Sequence, residues 1–178
     1  MPITTILKDV IREVPDFPIP GVLFKDISPV FLQPELIKRS AAALAAHWFD
    51  AGVTKVVGID SRGFLFGPQI AAKLDAGFVM VRKKGKLPPE TIEVSYALEY
   101  GEATLESVRE SMVPGDRIII HDDLLATGGT AEAAARLALS LGAEVVGFSF
   151  LINLTFLGGA ARLSQVARDI HWLVDYEK

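Results

Sequence analysis

The chain has 178 residues, a formal net charge of −4 at pH 7 and a hydrophobic fraction of 50%. This length suits a single domain with a sizeable core, and the acidic balance argues against non-specific nucleic-acid binding. The sequence has no cysteine, which excludes disulfides and thiolate chemistry, and no apolar run of the ~18 residues that a membrane span needs. Because the amino terminus lacks a secretory signal pattern, we predict a cytoplasmic protein, and the high apolar fraction predicts a subunit interface.

The first predicted element is a helix over residues 4–14. Its apolar side chains fall on one helical face, at Ile6, Leu7, Val10, Ile11 and Val14. A proline-rich segment, Pro15–Gly21, follows the helix. Residues 1–34 are therefore predicted to form an N-terminal helix and a folded-over hood.

Beyond the hood, short runs rich in Val and Ile alternate with helix-like runs. The strand-like runs are Val53–Ile59, Phe78–Arg82, Arg117–His121 and Glu144–Asn153. The helix-like runs are Glu35–Ala51, Phe64–Asp75 and Thr130–Leu141. This alternation predicts an α/β domain over residues 1–178, with a mostly parallel sheet flanked by helices on both faces. Ligands bind such sheets at the carboxyl ends of the strands, so the loops after strands are the candidate sites.

Residues 83–103 interrupt this alternation. They begin with Lys83, Lys84 and Lys86 and continue through Pro88-Pro89 into a polar stretch that contains two tyrosines. A long loop inside a compact domain is usually a lid over a site, or else disordered. We predict a flexible lid loop here.

The pattern richest in chemistry runs from Ile118 to Thr130. A β-branched strand ends in the acid pair Asp122-Asp123, and a small Gly-rich turn then leads into a helix. Backbone amides in such a turn and the positive end of a helix dipole together bind phosphate. The adjacent carboxylates suit the vicinal hydroxyls of a sugar. The plain alternative is an ordinary turn at Gly128-Gly129, with Thr130 as a helix cap and solvated acids.

This string resembles, nearly residue for residue, the 5-phosphoribosyl-1-pyrophosphate (PRPP) signature of the type I phosphoribosyltransferases. The resemblance covers most of the chain through four more blocks: Phe17–Pro29, Gly58–Phe64, Arg82–Pro88 and Tyr96–Gly101. These blocks are typical of the members that act on adenine. The resemblance implies the type I fold with a hood and a lid, and transfer of the phosphoribosyl group of PRPP to adenine in purine salvage, giving AMP and pyrophosphate. It also implies a homodimer.

The resemblance further implies roles for residues of the phosphate loop and the acid pair. Asp122 and Asp123 would bind the ribose hydroxyls and assist catalysis. The 5′-phosphate would be held by Ala126, Thr127, Gly128, Gly129 and Thr130. Mg²⁺ is the implied cofactor, bound mainly through PRPP and water rather than by a set of protein ligands. The three histidines of the chain are expected to be structural.

Members of the family hold pyrophosphate in a turn that corresponds here to Asp60-Ser61-Arg62-Gly63. The turn often contains a cis peptide, which would be Asp60–Ser61, and the resemblance places Arg62 close to the base and the pyrophosphate. An ordinary strand-to-helix turn with a solvated Arg62 is the alternative. Basic residues at the root of the lid approach pyrophosphate in the family, and Lys83 is the one expected to do so here.

The base would be bound by the hood and the end of the lid. Leu23 and Phe24 resemble the family's base-contacting positions, and Lys25 stands where arginine is common. Glu99, followed by Tyr100, would lie near adenine N7 and could share a proton. An exposed glutamate on a loop is the alternative for Glu99.

Two other functions stay open at the level of sequence. A PRPP-sensing transcriptional regulator would need a DNA-binding module, for which the chain has neither extra length nor a basic face. A phosphoribosyltransferase that uses xanthine or hypoxanthine is the other alternative, since the choice of base depends on the geometry of the hood.

Overall fold

Residues 1–97 and 101–177 are described by the computed structural model, and within them the strands form a seven-stranded sheet and a separate two-stranded sheet. The strands are β1 (Arg12–Val14), β2 (Phe24–Asp26), β3 (Lys55–Ile59), β4 (Gly77–Lys83), β5 (Thr91–Ala97), β6 (Glu102–Val108), β7 (Arg117–Leu125), β8 (Glu144–Leu154) and β9 (Asp169–Tyr176). The helices are α1 (Ile3–Val10), α2 (Ser28–Phe31), α3 (Pro34–Ala46), α4 (Gly63–Lys73), α5 (Gly129–Ser140) and α6 (Gly159–Leu163).

The large sheet has the order β5-β6-β4-β3-β7-β8-β9. Strands β4, β3, β7, β8 and β9 pair in parallel, whereas β6 joins β4, and β5 joins β6, in antiparallel fashion. This arrangement confirms the predicted α/β class with a mostly parallel sheet flanked by helices.

Helices cover both faces of the sheet because the central strand β7 is apolar on both faces. Ile118 and Ile120 belong to the buried cluster that includes α5, while Ile119 between them belongs to a second buried cluster, which includes Leu44 of α3 and Phe66 of α4. Side chains of a strand alternate between its two faces, so consecutive isoleucines serve both layers. In this way β7 holds its carboxyl end, and the loop that follows, in a fixed position.

The prediction of a helix over residues 4–14 is wrong in its second half. Helix α1 ends at Val10, and Arg12–Val14 forms β1, which pairs with β2. Tertiary pairing overrides the helical periodicity here, since Arg12 and Glu13 lie opposite Asp26 and Lys25 and form ion pairs with them.

The described part of residues 83–103 is not a loop throughout, because it contains β5 and the start of β6, and its role as a lid stays a prediction. Thr91–Ala97 and Glu102–Val108 form an antiparallel hairpin that extends the edge of the sheet. A further difference concerns β7, which runs through the acid pair to Leu125 rather than ending at His121, because β8 continues beside it as far as Asn153. The sequence analysis also did not identify β9.

No helix in the described part of the chain is both long enough and apolar enough to cross a membrane.

Candidate active site

The carboxyl ends of β3, β4 and β7 converge on a cavity of about 370 Å³ beside the edge hairpin. We call it the central cavity. Its walls are formed by Ile59, Asp60, Ser61, Arg62, Lys83, Tyr96, Ala103, Leu105, Asp122, Asp123 and Thr130. Parallel strands bring these residues together because their carboxyl ends share one edge of the sheet. Several residues predicted from sequence to bind substrate therefore lie in one place.

The turn Ala126–Gly128 joins β7 to α5 and contains the predicted phosphate site. Gly128 has a φ of +81°, which L side chains rarely adopt, and it directly precedes the first residue of the helix. A second cavity, of 90 Å³, lies against residues 124–131. Amides in the first turn of a helix have no partner within the helix, so they are free to bind an anion there.

Asp122 and Asp123 lie at the end of β7, between the phosphate turn and Arg62. The Asp123 carboxylate is only 2% exposed, and its Oδ2 lies 3.3 Å from Arg62 Nε. Among the described residues, none donates a hydrogen bond to this oxygen. Burial raises the pKa of both carboxyl groups, and the charge of Asp123 raises the pKa of Asp122 further. An incompletely satisfied buried carboxylate favours a ligand that brings hydroxyl donors.

Arg62 links the acid pair to a third cavity. Besides its contact with Asp123, its guanidinium lies 5.3 Å from the centre of the Phe24 ring. It belongs to the turn after β3, where the Asp60–Ser61 peptide bond is cis, as the resemblance implied. Gly63 lets this turn approach β7, because a Cβ at Gly63 would lie 2.6 Å from the carbonyl oxygen of His121.

The third cavity, of 650 Å³, lies beneath the hood, and we call it the base cavity. It is mostly apolar and is lined by Phe17, Phe24, Asp26, Ile27, Ser28, Phe31, Leu32, Arg62 and Leu65. Phe17 and Phe24 meet edge to face, with ring centres 5.1 Å apart. Of the predicted hood residues, Phe24 lines the cavity, whereas Leu23 is exposed and outside this lining. The Lys25 side chain pairs with Glu13, and Lys25 is also outside this lining.

The basic residues at the start of the predicted lid differ in their contacts, since Arg82 and Lys84 form ion pairs and Lys83 faces a cavity. Arg82 donates to the carboxylate of Asp60 at 2.8 Å, and Lys84 forms an ion pair with Glu93 at 2.8 Å. Lys83 instead lines the central cavity. This placement agrees with the choice of Lys83 as the basic residue that faces pyrophosphate.

Two residues of the edge hairpin, one in the cavity wall and one behind it, had no role in the sequence analysis. Tyr96 lines the central cavity, and its hydroxyl is 3.2 Å from Thr130 Oγ1. The buried Glu106 accepts hydrogen bonds from the amides of Lys86 and Leu87 and so holds the turn after Lys83. Burial acts to raise the pKa of Glu106, but these amide hydrogen bonds outweigh it and the pKa is lowered. The polar hairpin pattern could have suggested such residues only if its strand pairing had been known.

The predicted residues Glu99 and Tyr100 lie outside the described residues. The histidines lie away from the cavities: His121 is buried with Nδ1 3.4 Å from Ser149 Oγ, and His47 stacks on His171 with ring centres 4.2 Å apart. Burial lowers the pKa of His121 to about 4. These contacts agree with structural roles.

Comparisons with known proteins agree with this geometry. The sequence profile of the phosphoribosyl transferase domain matches residues 31–175. An adenine phosphoribosyltransferase of Yersinia pestis is 50% identical over 171 residues, which are 96% of this chain and 91% of the relative.

Two crystal structures extend the similarity to the fold. The adenine phosphoribosyltransferase of Rhodothermus marinus is 52% identical, with a TM-score of 0.91 and coverage of 98% of both chains. The Saccharomyces cerevisiae enzyme, complexed with D-DIAB and adenine, is 38% identical, with a TM-score of 0.90 over 96% of this chain and 98% of that one.

Proposed function

The chain belongs to the phosphoribosyltransferase family, and on this premise we propose that it transfers the 5-phosphoribosyl group of PRPP to adenine, giving AMP and pyrophosphate. The observation that carries the proposal is the order of the three cavities along the sheet edge. Asp122 and Thr130 line both the phosphate and the central cavity, and Arg62 lines both the central and the base cavity. Phosphate, sugar and base follow one another in the same order in AMP.

Each cavity then has one part of the substrates to bind. The amides and hydroxyls of Ala126, Thr127, Gly128, Gly129 and Thr130 would hold the 5′-phosphate. Asp122 and Asp123 would accept hydrogen bonds from the ribose hydroxyls, which relieves the unsatisfied Oδ2 of Asp123. Phe24 would pack on the adenine ring, and the backbone of residues 22–25 would read its edge.

The reaction replaces the bond between C1 of ribose and a pyrophosphate oxygen with a bond between C1 and adenine N9. The bonding electron pair leaves with pyrophosphate, and Arg62, Lys83 and the amides at Asp60–Ser61, which line the central cavity, would stabilise the growing negative charge. The carboxylates of Asp122 and Asp123 would face the ribose ring, which becomes electron-poor as the first bond breaks. Glu99 would take or share the proton that adenine loses, assisted by Tyr100.

We expect Mg²⁺ to bind mainly through PRPP and water rather than through a protein cage. No group of three His, Cys, Asp or Glu side chains able to hold a metal occurs among the described residues. The carboxylates of Asp60, Asp122 and Asp123 nevertheless line the cavity in which pyrophosphate and ribose would meet. Mg²⁺ commonly keeps several waters and binds through one or two carboxylates plus phosphates. When bound, it would reduce the charge repulsion around pyrophosphate.

We also propose a homodimer in the cytoplasm. Large apolar side chains outside the cavities are exposed, among them Phe49, Met80 and Phe156, which suits burial in a subunit interface. Cytoplasmic location follows from the need for PRPP, a highly charged compound that does not cross membranes unaided. Sedimentation at micromolar protein tests the dimer, and a single species of 19.2 kDa would contradict it.

The experiment that tests the proposed function measures PRPP consumption with adenine, hypoxanthine, guanine and xanthine in parallel. Adenine presents a donor amine at C6 and an acceptor at N1, whereas hypoxanthine presents the reverse. Each buried mismatch costs roughly 1–3 kcal/mol, so two mismatches reduce kcat/KM for hypoxanthine by on the order of a hundredfold or more. A ratio near one would reject adenine specificity, and PRPP binding without turnover of any base would favour the sensor.

A further inference from the structure

Lys25 is a buried cation that lies outside the lining of the base cavity. Its side chain is 2% exposed, its Nζ lies 2.6 Å from Glu13 Oε1, and the same nitrogen lies 3.8 Å from the centre of the Tyr176 ring. An ammonium group is costly to bury unless it is paired. The cost is offset here by one carboxylate and one aromatic face, so the position of Lys25 is tightly defined by these two partners.

These contacts join three strands. Glu13 of β1 lies directly opposite Lys25 of β2 in the small sheet, and Tyr176 ends β9 at the edge of the large sheet. Within the described residues, β1 and β2 pair with each other and with no strand of the large sheet. The Lys25 ammonium is thus a direct connection between the strand that carries the hood and the main sheet.

The same strand carries the wall of the base cavity on its other face. Phe24 and Asp26, the neighbours of Lys25, both line that cavity. Phe24 in turn lies under the guanidinium of Arg62, which contacts Asp123. A displacement of β2 would therefore move the wall of the base cavity first, while the phosphate turn is held separately by β7 and α5.

We propose that Lys25 is a positioning residue for base binding, which holds β2 against Glu13 and Tyr176 so that Phe24 keeps its place beside Arg62. This inference rests on the proposed function for the identity of the base. It assigns Lys25 a role through its neighbours and requires no contact between its side chain and adenine.

Replacement of Lys25 by methionine tests the proposal, because methionine keeps much of the apolar stem and removes the charge. We expect KM for adenine to rise about tenfold or more, since small misplacements around a bound substrate have effects of that order, while KM for PRPP stays within about twofold. Lys25→Arg should restore KM for adenine, because a guanidinium can pair with Glu13 and lie over the ring of Tyr176.

Matched variants separate positioning from a general loss of stability. Lys8→Met removes another lysine paired with a β9 carboxylate, Asp175 at 3.7 Å, but this lysine is half-exposed, lies on α1 and does not line the base cavity, so both KM values should stay unchanged. Tyr176→Leu should raise KM for adenine. Tyr176→Phe should not, because the ring face remains and the buried hydroxyl has no hydrogen-bond partner among the described residues.

The result that would overturn the proposal is a folded Lys25→Met enzyme with lowered Tm but unchanged KM for adenine, or one in which both KM values rise equally. If Lys25→Met does not fold, Glu13→Gln distinguishes positioning from a general loss of stability, since the half-exposed Glu13 carboxylate is not needed for packing. A selective rise in KM for adenine in Glu13→Gln supports positioning, and no rise rejects it. Failure of the proposed function would instead be seen in the unmodified enzyme, as no PRPP consumption with adenine.

Discussion

Replacement of Gly128 by alanine should weaken binding of PRPP and AMP while the protein still folds. Gly128 has a φ of +81° at the start of α5, inside the turn proposed to hold the 5′-phosphate. A Cβ added there would lie 3.1 Å from the carbonyl oxygen and 3.3 Å from the Cα of Gly159. Both atoms belong to backbone, so either Gly159 or the turn has to give by a few tenths of an ångström, and we expect the amides proposed to bind the phosphate to move with the turn.

Two magnitudes follow from this geometry. An L residue in the left-handed region costs roughly 1–2 kcal/mol, which is small beside the 5–15 kcal/mol that stabilises a typical domain. A hydrogen bond to a charged group contributes about 1.5–3 kcal/mol, so loss of one amide contact should raise KM for PRPP roughly tenfold to a hundredfold. The effect on ligand binding is therefore large, whereas the effect on folding is modest.

Gly115→Ala is the matched control. Gly115 has a φ of +96°, and a Cβ there meets nothing within 4 Å. It lies before β7, at the opposite end of the strand from the phosphate turn. Steady-state kinetics, AMP titration calorimetry and urea unfolding should show similar backbone strain in both variants but weakened ligand binding only in Gly128→Ala. Unchanged AMP affinity in folded Gly128→Ala would refute the assignment of the phosphate site.

Three other predictions concern the acid pair, the edge hairpin and a buried histidine. Asp122→Asn and Asp123→Asn should each raise KM for PRPP and leave the adenine-to-hypoxanthine ratio of kcat/KM unchanged; an altered ratio would show that the pair reads the base. Tyr96→Phe loses the hydrogen bond to Thr130, so KM for PRPP should rise about fivefold in steady-state assays, for a contact of about 1 kcal/mol; an unchanged KM would remove Tyr96 from the site. In the folded protein His121 stays neutral until the pH falls to about 4, because burial lowers its pKa. In the unfolded protein the same side chain takes up a proton below about pH 6.5. Stability should therefore fall by up to about 3 kcal/mol between these pH values, and urea unfolding of His121→Val should lack that loss.

Local chain geometry explains what the sequence determined by itself. The phosphate turn depends on a β-branched strand, two glycines and a helix start within a few consecutive residues, Ile118–Thr130. These residue types are consecutive in the chain, so their order indicated a turn between a strand and a helix without knowledge of the tertiary contacts. The parallel core strands were predictable for a similar reason, because strands buried on both faces are apolar throughout.

Pairing between distant residues was decided only by the tertiary structure. Residues 12–14 continue a helical periodicity, yet they form β1 because β2 offers them hydrogen bonds and ion pairs. In the hairpin β5-β6, apolar and polar residues alternate only weakly along the sequence. These residues form strands because β6 pairs with the edge of β4 and β5 pairs with β6.

The same distinction applies to the site. The residue types of the site can be read from the sequence, but their contacts join segments that are far apart in the chain. Arg62 contacts Asp123 and Phe24. Lys25 contacts Glu13 and Tyr176. Such contacts depend on how the elements pack, and packing is a property of the whole fold rather than of any local run of residues.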